Sequence, residues 1–175
     1  MKKMKTFAAL AVLCSILFTA SAFAQTKLTD PEIASVAVTA NKIDIGYAEI
    51  AKRTSKNEQV KKFAETMIND HNAVIKQATD LVTKLGVTPK DNDLSKKLSG
   101  DAEKKKAELK GKTGTAFDKA YIENEVAYHK AVIATVEGTL VPDSQNAELK
   151  QLLQNILPAL KTHLEHAEMV QKSLK

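Results

Sequence analysis

The sequence predicts an all-α fold, a ferritin-like four-helix bundle, from three observations. Apolar residues recur at steps of three and four in four long segments, which is the period of an amphipathic helix. Glycine and proline lie mostly between these segments. The first and last connections are short, whereas the middle one, residues 86–114, is long enough for a crossover along the bundle. A plain up-down bundle is the alternative.

The N-terminus predicts a secretory signal peptide over residues 1–24. Three lysines precede an apolar run from residue 7 to residue 17, and Ala22-Phe23-Ala24 has the small-residue pattern of a cleavage site. The apolar run is shorter than the roughly 20 residues of a membrane-spanning helix, so we expect cleavage after Ala24 rather than anchoring. Residues 25–175 then form a single domain, in the periplasm or secreted.

The composition of residues 25–175 excludes several classes of function. Cys14, the only cysteine, leaves with the signal peptide, so neither a disulfide nor a cysteine-based active site is expected. Three of the 26 basic residues also leave, and the remaining 23 face 21 acidic residues. A balance of +2 gives no reason to expect nucleic acid as a partner. No later apolar stretch predicts a transmembrane segment, and the lysine-rich run Lys104–Lys112 predicts at most weak contact with anionic envelope components.

The first helix is predicted from Pro31 to Thr54. Thr29 and Glu32 have the spacing of a capping box, and Pro31 suits the first helical position. The middle of its apolar stripe also carries an aspartate, Asp44. The stripe comprises Ile33, Val36, Ala40, Ile43, Tyr47 and Ile50.

The second helix is predicted from Lys56 to Leu85, and Gly86 ends it. Ser55 and Glu58 have the spacing of another capping box. Its stripe includes a histidine at a position where leucine would be ordinary. The stripe comprises Val60, Phe63, Met67, His71, Val74, Ala78, Leu81 and Leu85.

The third helix is predicted from Ala116 to Glu137, capped by Thr115 and ended by Gly138. Its stripe contains Glu125 and His129 among apolar residues. A further helical piece, over residues 94–110, is predicted within the long connection that precedes this helix.

The fourth helix is predicted from Ser144 to Ser173, and its stripe contains His163. Pro158 lies inside this pattern. Because proline removes one helical hydrogen bond and crowds the carbonyl four residues earlier, we expect the helix to kink or break there.

Three of the four histidines lie in the apolar stripes of three different helices, where an unsatisfied polar group costs about 1–3 kcal/mol. If the crossover makes the second and third helices parallel, His71 and His129 each lie about 14 residues into their helices and share one level. Asp44 lies within roughly one turn of that level. His163 fits less well, because its distance from the preceding turn places it nearer the level of Glu125.

Imidazole and carboxylate groups together suit zinc, copper, iron or manganese, and bundle cores are established places for such sites. The candidate metal ligands are His71, His129, His163, Asp44 and Glu125. The residues expected around them are Asp70, Asp118, Tyr121 and His166. The di-iron pattern of Glu-x-x-His on two helices does not occur, because residues 68 and 126 are isoleucine and valine. We therefore expect metal binding without enzymatic turnover, and a metal-dependent oxidoreductase is the weakest interpretation.

The alternative is a protein that binds no metal. Its histidines would then join aspartate and tyrosine side chains in a buried hydrogen-bond network that satisfies every member. Such a protein would serve as a structural or stress-related interaction module.

Three motifs, in this order, resemble a known bacterial family. They are AETMINDH at Ala64–His71, GTAFDKAYIENEVAYH at Gly114–His129 and LPALKTHLEHA at Leu157–Ala167. The family is the ferritin-like "domain of unknown function forty-one forty-two", whose members are often labelled outer-membrane proteins. The resemblance runs from about Asp30 to Leu174.

The resemblance implies a ferritin-like fold and export, but no particular reaction. At Asp44 this chain has a shorter acid where the family usually has glutamate, which changes the reach of a ligand there. A periplasmic location suits the chain, and the family's label adds peripheral association with the outer membrane as a second expectation. The family's characteristic polar positions match Asp70, His71, Asp118, Tyr121, His129 and His163.

Overall fold

The computed structural model describes residues 27–174, and all regular structure in that range is helical. The predicted signal peptide lies outside the described residues. The long helices are α1 (Asp30–Thr54), α2 (Glu58–Lys84), α3 (Asp93–Lys110), α4 (Gly114–Thr135) and α6 (Ala147–Ser173). A π-helical turn (Val136–Leu140) and the short α5 (Val141–Asp143) lie between α4 and α6. Within residues 27–174, no helix combines the length and apolarity that crossing a membrane requires.

The connection between α1 and α2 forms through different caps from those predicted. α1 begins one residue before the predicted start, and the Glu32 carboxylate accepts hydrogen bonds from the backbone N–H and the hydroxyl of Thr29. Asn57 rather than Ser55 caps α2, because its Oδ1 accepts from the backbone N–H groups of the first turn. The Ser55 hydroxyl instead donates to Asp118 of α4 at 2.5 Å. The predicted start of the second helix was therefore two residues early.

Gly138 does not end the third predicted helix, and that prediction was wrong. The chain continues through the π-helical turn into α5 and stops at Asp143. Val136 and Leu140, on either side of the glycine, are both buried in the core. Because both side chains are buried, the chain stays helical through Gly138, although glycine has a low helix propensity. The start of this helix also differs from the prediction. Thr115 was the predicted cap, whereas α4 begins at Gly114 and Thr113 precedes it.

α6 begins at Ala147, three residues later than predicted, because the Asn146 side chain caps its first turn. The helix is continuous through Pro158, so the expected break does not occur. Leu153 and Leu160, before and after the proline, are both buried and hold this part of the helix against the core.

Helices α1, α2, α4 and α6 all contribute to the core, and α3 lies against α1. α1 also packs against α2 and α4, and α6 packs against α4 and α2. Most of the buried apolar residues form two clusters. The first includes Tyr47, Phe63, Met67, Phe117 and Tyr121. The second comprises Ile33, Val36, Val136, Leu140, Leu149, Leu153 and Leu160.

A layer of buried polar side chains lies between these two clusters, and we call it the polar layer. Along α1, for example, Asn41 and Asp44 lie between Val36 of the second cluster and Tyr47 of the first. The same order is found in reverse along α4. The polar layer comprises Asn41, Asp44, His71, Glu125, His129 and His163.

Candidate metal centre

Three histidine rings meet in the polar layer. The ring centroids of His71 and His129 are 5.8 Å apart, and those of His71 and His163 are 5.3 Å apart. The third pair, His129 and His163, is separated by 5.6 Å. Each ring has a nitrogen atom that could bind a metal, and three such atoms, one from each ring, lie within 4.8 Å of one another. All three side chains are buried, so α2, α4 and α6 bring their histidines together inside the bundle.

Each of these rings is held in place through one of its nitrogens. The three pairs are His71 Nδ1 with Asn41 Oδ1 at 2.7 Å, His129 Nδ1 with the Glu125 backbone oxygen at 3.0 Å, and His163 Nε2 with Asp70 Oδ2 at 2.9 Å. An amide oxygen, a backbone oxygen and a carboxylate oxygen accept hydrogen bonds, so the ring nitrogen in each pair is the donor. The second nitrogen of each neutral ring then carries a lone pair.

Those second nitrogens are left without a hydrogen-bond partner among the described residues. They are His71 Nε2, His129 Nε2 and His163 Nδ1. A ring that donates one N–H to an oxygen and offers the other nitrogen is the arrangement of a metal-binding histidine with its supporting acceptor. The polar layer holds three such rings.

Asp44 brings a carboxylate oxygen to the same point. Its Oδ2 lies 3.4 Å from His71 Nε2 and 3.6 Å from His129 Nε2. These separations are too long for strong hydrogen bonds, and neither oxygen of the fully buried carboxylate has a partner within residues 27–174. The site therefore contains a buried acid that the surrounding protein leaves unsatisfied.

Glu125 lies on the other side of His129. Its Oε2 is 3.6 Å from His129 Nδ1, and its carboxylate is fully buried. Asp44, Glu125 and His129 form a second group whose potential ligand atoms lie within 4.8 Å of one another. The two groups share His129, so all five predicted ligands belong to one continuous cluster.

Burial determines the protonation of this centre. It lowers the pKa of His71 to about 3 and that of His129 to about 4, and neighbouring histidines add to both effects. Burial raises the pKa of Asp44 to about 8, and burial together with the Asp44 charge raises that of Glu125 well above its usual value. At neutral pH the rings are therefore neutral and able to coordinate, whereas both acids favour their protonated forms.

The residues predicted around the ligands have different positions. Asp70 supports His163 directly, as described above. Asp118 accepts its hydrogen bond from Ser55, at the connection between α1 and α2 rather than in the polar layer. His166 is half-buried, and its ring packs edge-on against Phe63 with centroids 5.1 Å apart.

Tyr121 belongs to the first apolar cluster, where its ring stacks on Phe117 at a centroid distance of 6.2 Å. Burial raises the pKa of its phenol, and the charges of Glu125 and Asp44 add to that effect. Its hydroxyl has no hydrogen-bond partner in the described part of the chain. Tyr121 thus packs in the core directly beside the polar layer.

Sequence reasoning did not single out Asn41, the acceptor for His71. One signal was available, because Asn41 precedes Asp44 by three residues and so shares its helix face. Sequence reasoning also placed His163 nearer the level of Glu125, yet the described structure brings its ring beside His71 and His129.

Comparison with known proteins gives a family and a fold. A family model described as "Domain of unknown function (DUF4142)" matches residues 18–170. No curated protein matches the sequence. Among solved structures, the chain is similar to "CopM in the Cu(II)-bound form", with a TM-score of 0.61 and 17% sequence identity. That match covers 83% of this chain and 98% of the other, and at this identity it shows a similar fold alone.

Proposed function

The chain belongs to the DUF4142 family, whose name states no activity, and we propose from its own side chains that it binds one transition-metal ion. The ligands are one nitrogen from each of His71, His129 and His163 and one oxygen of Asp44. Copper(II) is the first candidate for the ion. The observation that carries the proposal is the set of three buried rings, each held through one nitrogen and free at the other.

The distances around Asp44 support coordination of one ion. Ligand atoms bound at about 2.0 Å lie about 2.8 Å from their neighbours in the square-planar geometry of copper(II), and about 3.3 Å apart in a tetrahedral one. The distances from Asp44 Oδ2 to the Nε2 atoms of His71 and His129, 3.4 and 3.6 Å, are close to the tetrahedral value and somewhat longer than the square-planar one.

A metal-free hydrogen-bond network is less well supported. Such a network requires satisfied members, since each buried unsatisfied group costs about 1–3 kcal/mol. Within residues 27–174, Asp44 and Glu125 have no partner at any carboxylate oxygen, and the three rings each have one free nitrogen. A cation would compensate both the lone pairs and the buried acid, which hydrogen bonds among these side chains do not achieve.

The choice of copper(II) rests on two further points. Imidazole suits copper and zinc, and copper(II) binds most tightly among the divalent first-row metals. The similar solved structure is described as a Cu(II)-bound form, which makes copper the natural first ion to test. Asp44, rather than Glu125, is the proposed oxygen ligand, because Glu125 lies on the Nδ1 side of His129.

We also propose the ferritin-like bundle arrangement, with α3 as part of the crossover, and export of the mature chain from Gln25. In this proposal the protein holds a metal ion outside the cytoplasm, in the periplasm or secreted, without turning over a substrate. The four core helices and the length of the connection through α3 support the arrangement.

The test is a copper(II) titration of the untagged chain from Gln25 to Lys175. We expect one equivalent to bind, with electron paramagnetic resonance detecting nitrogen ligands. At about 100 times its Kd, the ion should add about 2.7 kcal/mol to the free energy of unfolding. The His71→Ala/His129→Ala variant should lose this stabilisation.

His166→Ala is the matched control, because His166 is the histidine outside the polar layer. It should bind copper(II) as the unsubstituted chain does. Zinc(II) should compete for the same site with lower affinity. If the double variant were stabilised as much as the unsubstituted chain, or if only His166→Ala lost binding, the proposed ligands would be wrong.

A further inference from the structure

A cavity of about 300 Å³ lies on the side of the polar layer that faces the second apolar cluster. Its walls come from α1, α2, α3, α4, the π-helical turn and α6, and most of the lining side chains are aliphatic. The cavity is open to solvent on one side, and alanines on four helices form part of its lining. They are Ala37, Ala40, Ala73, Ala131 and Ala159.

One end of the cavity is polar. Asn41, Asp70 and His163 of the supporting hydrogen bonds line this end. The Asn41 side-chain N–H₂ donates to the backbone oxygen of Ala37, and the ring N–H of His163 donates to Asp70. The Asp70 side chain is 51% exposed, so its carboxylate can accept further hydrogen bonds. A molecule in the cavity therefore meets an acceptor at this end.

The cavity is accessible from outside the protein. Ala73 and Gln77 of α2 and Ala159 of α6 line it, and all three are exposed to solvent. A small molecule can therefore enter at this rim without unfolding of a helix. Apolar walls, one hydrogen-bond acceptor at the polar end and an open rim are the features of a small-molecule site.

We infer that this cavity binds a small organic molecule with an aromatic or aliphatic body and one hydrogen-bond donor, such as a hydroxyl group. The body lies against the alanines, and the donor points to the Asp70 carboxylate. Since a cavity of about 150 Å³ accepts benzene, the present volume has room for two fused rings. A carboxylate in place of the hydroxyl would face the carboxylate of Asp70 and would be repelled.

The test uses 2-naphthalenemethanol and 2-naphthoate, which share a body and differ in the polar group. Each is titrated by calorimetry into the chain from Gln25 to Lys175, kept metal-free with a chelator. We expect saturable binding of the alcohol, and binding of the carboxylate about tenfold weaker. Asp70→Asn keeps a hydrogen-bond acceptor for His163 but removes the negative charge. It should therefore reduce the difference in affinity between the alcohol and the carboxylate.

Two variants fill the cavity from different walls. Ala37→Leu on α1 and Ala159→Leu on α6 should each weaken binding of the alcohol about tenfold or more. Ala134→Leu, at an exposed position of α4 outside the lining, is the matched control and should bind as the unsubstituted chain does. Circular dichroism shows whether each variant keeps its helices. Because the two variants are on different helices, one can still test the inference if the other misfolds.

Two results would overturn the inference. The first is the absence of saturable binding of the alcohol to the unsubstituted chain. The second is unchanged binding by both folded cavity-filling variants. Equal affinity for the two probes, in the unsubstituted chain and in Asp70→Asn alike, would overturn the assigned role of Asp70. Since all titrations are metal-free, their failure leaves the copper(II) proposal to be judged separately.

Discussion

Asn41 connects α1 to a histidine of α2, since its Oδ1 accepts a hydrogen bond from His71 Nδ1 at 2.7 Å. This bond fixes which nitrogen of the ring faces the polar layer. Asn41→Leu preserves the approximate volume but removes the acceptor. We expect copper(II) affinity to fall about 10–100-fold, measured by competition with a chromophoric chelator.

Asn72→Leu provides the comparison for that measurement. Asn72 lies on α2 beside His71 in sequence, but its side chain is exposed and donates to the backbone oxygen of Ile68. Its removal should leave copper(II) affinity within about twofold of the original, as is usual for a surface position. Equal losses at the two asparagines would contradict a specific role for Asn41.

Asp44 makes the stability of the metal-free protein depend on pH. Its pKa of about 8 in the folded chain lies above the ordinary 3.8, so folding retains a proton that the unfolded chain releases. This contribution to the free energy of unfolding is full below about pH 4 and is lost as the pH rises through about 8. His71 and His129 have lowered pKa values and act in the opposite direction, but only below their ordinary 6.5.

Between pH 6.5 and 8 we therefore expect the free energy of unfolding to decrease as the pH rises. Glu125, whose pKa is also raised, contributes in the same direction, so Asp44→Asn should make the decrease less steep without abolishing it. Urea unfolding at several pH values, in the presence of a chelator, measures this pH dependence of the free energy of unfolding. Asp80→Asn, at an exposed acid paired with Lys76, should leave the slope unchanged. An unchanged slope in Asp44→Asn would mean that Asp44 is ionised in the folded chain.

At the residue scale, sequence alone could identify the histidines and Asp44, because polar residues inside an apolar stripe are visible without a structure. It could not choose between Ser55 and Asn57 as the cap of α2. Both residues are good caps, and the choice depends on Asp118, which is distant in sequence and binds Ser55. The residues next to a helix end in the sequence do not reveal a hydrogen bond to a residue as distant as Asp118.

At the scale of elements, the passage from α4 to α5 depends on burial rather than on helix propensity. Gly138 lies in the π-helical turn, its φ is not positive, and a Cβ built there meets no atom within 4 Å. Gly138→Ala should therefore stabilise the protein by about 0.5–1 kcal/mol, because it restricts the unfolded chain without creating a clash. Urea unfolding measures the change.

Gly86 is the opposite case and serves as the control. It follows α2 with a φ of 64°, a conformation that alanine adopts only with strain. Gly86→Ala should destabilise the protein although no neighbouring atom is close. Destabilisation by Gly138→Ala would mean that the π-helical turn needs the glycine.

The same contrast explains which helix boundaries were predictable. The start of α1 has a capping box and a proline within four residues, and the predicted start differs from the structure by one residue. The end of α4 lacks a local stop signal that outweighs the burial of Val136 and Leu140. Pro158 failed as a breaking signal for the same reason, since buried leucines lie on either side of it.

At the scale of the whole molecule, the all-helical class followed from the periodicity of the long segments. The meeting of His163 with the other two rings did not follow, because it depends on how α6 packs along α4 and α2. Counting residues from the turns predicted the height of each histidine along the bundle axis. It could not predict how each helix is rotated about its own axis or shifted relative to its neighbours. The cavity was equally out of reach, since alanines in a stripe ordinarily indicate close packing.

The proposed export concerns the whole chain, and it predicts a measurable mass. When the complete gene product is expressed in a bacterium with a general secretion pathway, the recovered protein should begin at Gln25. Ala24→Leu should impair cleavage, because signal peptidase requires a small residue there. Intact-mass spectrometry distinguishes the two products. Recovery of an unsubstituted chain that still begins at Met1 would contradict the signal-peptide prediction.

The polar layer has a consequence for the order of events in synthesis. Its candidate ligands Asp44, His71, His129 and His163 come from α1, α2, α4 and α6, so no contiguous fragment shorter than most of the domain contains them all. His163 lies in the last helix and is the last of the four to emerge from the ribosome. A bound ion would therefore show that synthesis had passed His163, since a product that ends before this residue lacks one of the four ligands.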